Sequence, residues 1–160
     1  MRMKILKVFK YIIVVFILLV ISPFILSPII NNLWLNQMAK EFKAYSLPEQ
    51  TNFIEQESVC GKLNGNGNGM NFFSCILVKS DLSLAEIQEY YKGKSFKSFN
   101  KNYQVEVEVI PANGYKLQTQ YLEHRDVYFD KLKNLNAYTG YYVILIFDGG
   151  YWGGLDIRAS

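Results

Sequence analysis

The feature of the sequence that most constrains its fold is a run of 29 residues without a charged side chain, from Tyr11 to Ala39. Residues 11–30 of this run are almost all apolar, and roughly 20 apolar residues cross a bilayer core of about 30 Å as a helix. The apolar region of a cleavable signal is shorter, roughly 7 to 15 residues. The run therefore favours an uncleaved transmembrane signal-anchor at residues 11–30, with a signal peptide cleaved at Ser22 or Ser27 as the alternative.

Basic residues are concentrated on the amino-terminal side of this run. The chain has 17 basic and 14 acidic side chains, and four of the basic ones are Arg2, Lys4, Lys7 and Lys10. This asymmetry predicts a cytoplasmic basic tail at residues 1–10 in a single-pass protein of the cell membrane, with the rest of the chain outside. The 13 other basic groups are balanced by the 14 acidic groups, which excludes a basic domain built to bind nucleic acid.

Two prolines and a tryptophan mark the outer end of the predicted span. Pro23 and Pro28 each remove a backbone donor, so they predict that the helix kinks or ends near the outer interface. Trp34 follows as a predicted membrane-interface anchor, because tryptophan is enriched at that depth of a bilayer.

Residues 31–47 are predicted to form an amphipathic stem. Its apolar side chains at helical spacing are Leu35, Met38, Phe42 and Tyr45. Such a stripe packs either against the protein's own domain or against a partner helix. Pro48 disfavours helical geometry at Leu47 and so predicts the end of the stem.

Residues 48–160 are predicted to form one extracytoplasmic α+β domain, in which an antiparallel sheet packs against one or two helices. Strand-like patterns cover residues 53–63, 70–79, 103–110, 115–122, 141–147 and 155–158. The turn at residues 111–114 predicts that 115–122 returns as the hairpin partner of 103–110. The run at 141–147 has no polar alternation, which is typical of a central strand covered on both faces. The asparagines and glycines of residues 64–69 predict a hairpin loop, or less readily an anion-binding loop.

Two helices are predicted inside this domain. Ser83 and Glu86 form a capping-box pattern and Gly93 supplies a terminator, so a helix is predicted over residues 83–93. A short helix is also favoured within residues 126–135.

Cys60 and Cys75 are the two cysteines of the chain. If the hairpin is centred on Gly67, they fall within one residue of being opposite on facing strands. A disulfide is chemically allowed outside the membrane. Two buried free thiols remain the equal alternative.

Few residues have the pattern of a catalytic or metal site. His124 is the sole histidine, and neighbouring acidic residues point in different directions, so no metal site and no cofactor is predicted. Glu106 and Glu108 are expected to share a strand face about 7 Å apart, which suits either paired carboxylates or a solvated face. No catalytic residue is assigned from these patterns.

Three blocks of the sequence resemble a group of small membrane-anchored proteins from Gram-positive bacteria whose function is uncharacterised. The blocks are residues 60–70, the helix at residues 83–91, and residues 141–158. The resemblance covers most of residues 46–158. It implies one amino-terminal span and an external domain, and it supplies no activity.

Three hypotheses of function remain from the sequence. The first is a non-catalytic binding or interaction module working beside another envelope protein. The many tyrosines support it, since tyrosine is favoured at binding surfaces. A general compositional bias of the sequence is the alternative explanation for these tyrosines. The second is an envelope hydrolase using His124 or exposed carboxylates. The third is an assembly or immunity subunit acting through its membrane helix.

Overall fold

The computed structural model of the chain describes residues 2–98 and 103–160, and the side chains of all of these except residues 2–6 and 8. Most side chains of the predicted basic tail therefore lie outside the described part. A first helix, α1, spans Arg2–Lys43. By length and composition it is a candidate membrane span, and a signal sequence would have the same properties.

Helix α1 continues through both prolines. Pro23 and Pro28 lie inside it, so the predicted end of the helix near the outer interface is wrong. Pro23 has no N–H to donate to the carbonyl of Leu19. The hydroxyl of Ser22 donates to that carbonyl instead, at 3.4 Å. The apolar segment and the stem consequently form one helix.

The rest of the chain is an α+β domain built on an antiparallel sheet, as predicted. In chain order its elements are β1 Thr51–Gly61, β2 Met70–Ser80, α2 Leu84–Tyr91, β3 Ser95–Lys97, β4 Gln104–Glu106, β5 Glu108–Pro111 and β6 Tyr141–Tyr151. Two short 3₁₀ helices lie at Asp130–Leu132 and Ile157–Ala159. The main sheet has the order β1-β2-β6-β5, and β3 and β4 form a separate pair.

The sheet is covered on both faces because β2 and β6 are apolar at odd and even positions alike. One face carries Phe72, Ile76 and Ile144, which pack against both helices. The opposite face carries Phe73, Cys75 and Leu145, which pack against the irregular segment 112–135. The prediction of a central strand at residues 141–147 is confirmed by β6.

The stem packs against its own domain. Met38 and Phe42 are buried in the cluster on the helical face of the sheet. The ring of Phe42 meets the ring of Phe96 edge-on at 5.4 Å between centroids. Under the helix, the side-chain amide of Gln56 donates to the carbonyl of Ala39 at 2.7 Å. Of the two predicted partners for this stripe, the domain is the one observed.

Three local predictions in the domain are wrong. Residues 115–122 form no strand beside β5, whose neighbour in the sheet is β6; Lys116 instead forms an isolated bridge with Tyr128. The short helix predicted within residues 126–135 is reduced to the 3₁₀ turn Asp130–Leu132. The last predicted strand is the 3₁₀ helix Ile157–Ala159.

Replacing Phe42 by Ala is expected to destabilise the domain by roughly 3–5 kcal/mol, the range for a buried aromatic side chain. The measurement is urea unfolding of the detergent-solubilised full chain. Asn36→Ala, at an exposed position of the same helix, is the matched control and is expected to change stability by less than about 0.5 kcal/mol. Equal stability of Phe42→Ala and the wild type would show that the stem is not part of the core.

Candidate functional site

The outer end of the apolar segment meets one end of the sheet. The backbone N–H of Leu155 donates to the hydroxyl of Ser27 at 3.1 Å. The carboxy-terminal segment also joins the hairpin, because the N–H of Gly69 donates to the carbonyl of Ala159 at 2.8 Å. One junction between helix and domain is therefore formed by residues 27–32, the glycine-rich loop 64–69 and residues 152–160.

A buried asparagine and a buried aspartate form the centre of this junction. Asn31 and Asp156 are 4% and 3% exposed. The amide of Asn31 donates to Oδ2 of Asp156 at 2.9 Å and to the carbonyl of Gly153 at 3.2 Å. A buried polar group without partners is costly, so these bonds favour one arrangement of helix and domain.

Arg158 extends the network back to the helix. Its Nη2 lies 2.6 Å from Oδ2 of Asp156. Its Nη1 donates to the side-chain oxygen of Asn32 at 2.8 Å, and Nη2 donates to the carbonyl of Pro28 at 3.4 Å. The hydrogen bonds of Arg158 and Asn31 lower the pKa of Asp156 to about 2. We call this set of Asn31, Asn32, Asp156 and Arg158 the junction clamp.

A glycine permits the close approach that the clamp requires. Gly154 has a φ of +66°, and a Cβ at this position would collide with the side chain of Ser27. A larger residue would be strained in this conformation and would push the loop away from the helix. Gly154 therefore lets the loop lie directly against α1.

The lowered pKa of Asp156 predicts a dependence of stability on pH. A carboxyl group whose folded-state pKa is depressed stabilises the fold fully above its unfolded pKa, near 4, and loses that contribution as the pH falls toward 2. We expect this contribution to amount to roughly 2 kcal/mol. Asp156→Asn should be less stable at neutral pH and should lack this part of the pH dependence, measured by unfolding between pH 2 and 7. Parallel curves for the variant and the wild type would contradict the role of Asp156.

A second buried polar cluster lies at the end of β6. The carboxylate of Asp148, 2% exposed, accepts hydrogen bonds from the hydroxyl of Tyr103 at 2.7 Å, from Tyr151 at 2.6 Å and from Ser98 at 3.3 Å. The hydroxyls of Ser98 and Tyr151 also contact each other. Burial and the bond to Asp148 raise the pKa of Tyr103. The cluster ties β6 to the segment around β3 and β4.

A cleft of about 400 Å³ opens beside this cluster. Its walls are the glycine-rich loop on one side and the end of β6 on the other. It is lined by Asn64, Gly67, Asn68, Gly69, Asn71, Tyr103, Phe147, Gly149 and Gly150. None of these described lining residues is charged, so the cleft offers amide groups, backbone groups and two aromatic rings. Such a surface suits hydrogen bonding and stacking rather than ion pairing.

The two cysteines are free and buried. Cys60 pairs in register with Phe72, and Cys75 pairs with Glu57. They are therefore three positions out of register, and they belong to the clusters on opposite faces of the sheet. The hairpin is centred one residue before Gly67, so the register that would place them opposite is not the observed one. Burial raises the pKa of both thiols.

These positions predict that both thiols are unreactive until the protein unfolds. A thiol-selective reagent should modify neither cysteine of the native, non-reduced protein. After denaturation without reductant, it should modify two thiols per chain. A count of zero after denaturation would mean that the two cysteines are bridged.

The other residues singled out in the sequence are dispersed. Nε2 of His124 donates to the carbonyl of Gly65 at 2.9 Å, and the carboxylate of Glu123 accepts from the N–H of Gly65 at 2.9 Å. These two residues thus hold the glycine-rich loop in place. Glu106 and Glu108 lie on different strands, β4 and β5, so the predicted shared strand face is interrupted. Among the described residues, no group of three His, Cys, Asp or Glu side chains is arranged to hold a metal ion.

Trp34 contacts the domain. Its ring lies 6.2 Å from the ring of Phe72 and 6.5 Å from that of Tyr151. Its predicted role at the membrane interface stays a prediction, and the contacts show an additional packing role.

The residues of the junction clamp and of the Asp148 cluster were not predicted from the sequence. Asn31 and Asp156 are separated by 125 positions, so no local pattern connects them. One signal was present: Asn31 and Asn32 are amides at the end of an otherwise apolar run. Polar groups there need partners in the folded protein.

No protein-family model, curated protein or solved structure matches the chain. Its function has therefore to be inferred from the helix, the junction clamp and the cleft.

Proposed function

We propose that the protein is a single-pass protein of the cell membrane whose external domain binds another membrane protein of the cell envelope without catalysing a reaction. The observation that carries this proposal is the continuity of α1. The helix begins as an apolar segment and ends in the core of the domain, where Met38 and Phe42 are buried. The domain is thereby held at a fixed place beside its span.

The continuity supports an uncleaved anchor over a cleaved signal. The hydroxyl of Ser27 accepts a hydrogen bond from the N–H of Leu155 in the domain, and the carbonyl of Pro28 accepts one from the guanidinium of Arg158. Cleavage after Ser27 would remove the serine that the domain binds, whereas cleavage after Ser22 would leave both contacts in place. The four basic residues before the span support a cytoplasmic amino terminus and an external domain.

The cleft, whose described lining residues are uncharged, is the proposed binding surface. Asn68 and Gly69 line it and also line the depression next to Phe24 of the helix. The cleft therefore opens at the end of the domain nearest the span. A partner at that place is itself a membrane protein, and it is recognised through amide, backbone and aromatic groups.

The polar groups near the cleft support binding rather than catalysis. Both carboxylate oxygens of Asp148 accept hydrogen bonds from hydroxyl groups. The ring of His124 is bonded to the backbone of the glycine-rich loop. Each of these groups stabilises the walls of the cleft.

The proposal is tested with a membrane-impermeant maleimide that carries a photoreactive group. The native thiols are buried, so an engineered cysteine is the site of reaction. In intact cells, Asn68→Cys at the cleft should be labelled and, after illumination, should give one discrete adduct with a membrane protein. Asn113→Cys, at an exposed position elsewhere on the domain, should be labelled without forming that adduct.

Lys7→Cys, before the span, is the control for orientation. It should react only after the cells are permeabilised, since the reagent does not cross the membrane. Labelling of Lys7→Cys but not Asn68→Cys in intact cells would reverse the proposed orientation. Labelling of Asn68→Cys with no adduct, or with the same adducts as Asn113→Cys, would contradict binding at the cleft.

A further inference from the structure

The loop after β6 exposes large apolar side chains. Trp152 and Ile157 are each 85% exposed, and Leu155 is 44% exposed. We call these three residues the loop patch. Grouped apolar side chains on a surface mark sites of contact with protein or membrane.

The loop patch lies beside the apolar part of α1. Leu155 is joined to Ser27 by the hydrogen bond described above, and Gly154 packs directly on the same serine. A depression of about 390 Å³ is lined by Phe24 of the helix and by Trp152, Leu155 and Ile157 of the loop, and Asn68, Asp156 and Ser160 supply polar groups to its walls. Apolar side chains of the patch and of the helix therefore lie side by side at this depression.

The position of Ser27 along the helix gives the depth of the patch. With a rise of 1.5 Å per residue, Ser27 lies about 24 Å from Tyr11 along the axis. The apolar core of a bilayer is about 30 Å thick. When Tyr11 lies at the inner edge of that core, Ser27 lies within its outer part, at the depth of the upper acyl chains.

The charged side chains of the loop do not oppose burial in lipid. Asp156 is buried and is paired with Arg158 at 2.6 Å. The guanidinium of Arg158 also donates to Asn32 and to the carbonyl of Pro28. The large exposed side chains of the loop are thus apolar, Ser160 is a small exposed polar residue beside them, and the ion pair is directed at the helix.

We infer that the loop patch inserts into the outer leaflet and that lipid acyl chains cover Trp152, Leu155 and Ile157. The inference rests on the membrane anchoring proposed above. The domain then contacts the bilayer at two places, the helix and the loop. Two contacts fix the tilt of the domain, and they keep the cleft close to the membrane surface, where a membrane-protein partner is reached.

Fluorescence quenching by lipid tests this inference. The full-length Trp34→Phe variant, with Trp152 as its one tryptophan, is reconstituted in phosphatidylcholine vesicles brominated near the ester end of the acyl chain. Trp152 should lose most of its emission relative to unbrominated vesicles and should resist quenching by aqueous iodide. In a tryptophan-free background, Ile157→Trp should behave in the same way, and its exposed position makes it a second probe that does not disturb the core.

Two more tryptophans in that background are controls. Asn52→Trp, exposed at the far end of β1, should be quenched by iodide and not by lipid. Phe16→Trp, in the apolar segment, should be quenched by brominated lipid.

The failures of the inference and of the anchor are distinguishable. If Phe16→Trp is quenched by lipid but Trp152 and Ile157→Trp are not, the anchor stands and lipid contact by the patch is overturned. If Trp152 is shielded from both lipid and iodide, the inference is overturned, because protein, such as a second copy of the chain, then covers the patch. If Phe16→Trp is not quenched by lipid, the anchor fails and the inference fails with it.

Discussion

The burial of the carboxy-terminal half of α1 against the sheet is the interaction on which the rest of the structure depends. Met38 and Phe42 fill the space above β1 and β2, and Phe96 closes it from the side. A domain is stable by only about 5–15 kcal/mol, so the loss of such packing is a large fraction of the total. The helix is therefore part of the domain's core as well as its attachment to the apolar segment.

The junction clamp gives this packing a defined position. Apolar contacts alone tolerate a helix that slides or turns, because they are not directional. The hydrogen bonds from Asn31 to Asp156 and from Arg158 to Asn32 are directional, and their groups lose these partners if the helix moves. The clamp lies at the end of the sheet nearest the apolar segment and the apolar packing extends to the other end, so the two together hold helix and domain as one body. In the proposed single-pass arrangement, this union sets the places of the cleft and the loop patch relative to the bilayer.

Local signals in the sequence predicted the elements that depend on neighbouring residues. The helix α2 has the predicted capping box between Ser83 and Glu86, and Gly93 has the left-handed conformation expected after a helix end. The long apolar runs at residues 70–79 and 141–147 predicted β2 and β6, because a strand that is buried on both faces needs apolar side chains at consecutive positions.

Predictions failed where a partner distant in the chain decides the outcome. The run at residues 115–122 has a strand pattern, but β6 is the strand that pairs with β5. The β1–β2 hairpin is centred one residue before Gly67, which places the two cysteines three positions out of register instead of one. The glycine-rich loop of the candidate site was predicted as a turn, whereas its contacts with Glu123, His124 and Ala159 depend on tertiary structure.

The measurement that tests the union of helix and domain most directly is the distance between two nitroxides in the lipid-reconstituted full chain. One label is placed at Ile25, exposed on the apolar part of α1, and the other at Asn113, exposed on the domain. The native thiols do not compete because they are buried. Electron–electron resonance should give a single narrow distance distribution if the clamp and the buried stem hold the two parts together. A broad or multiple distribution would contradict the account, because it would show a domain that moves freely about its span.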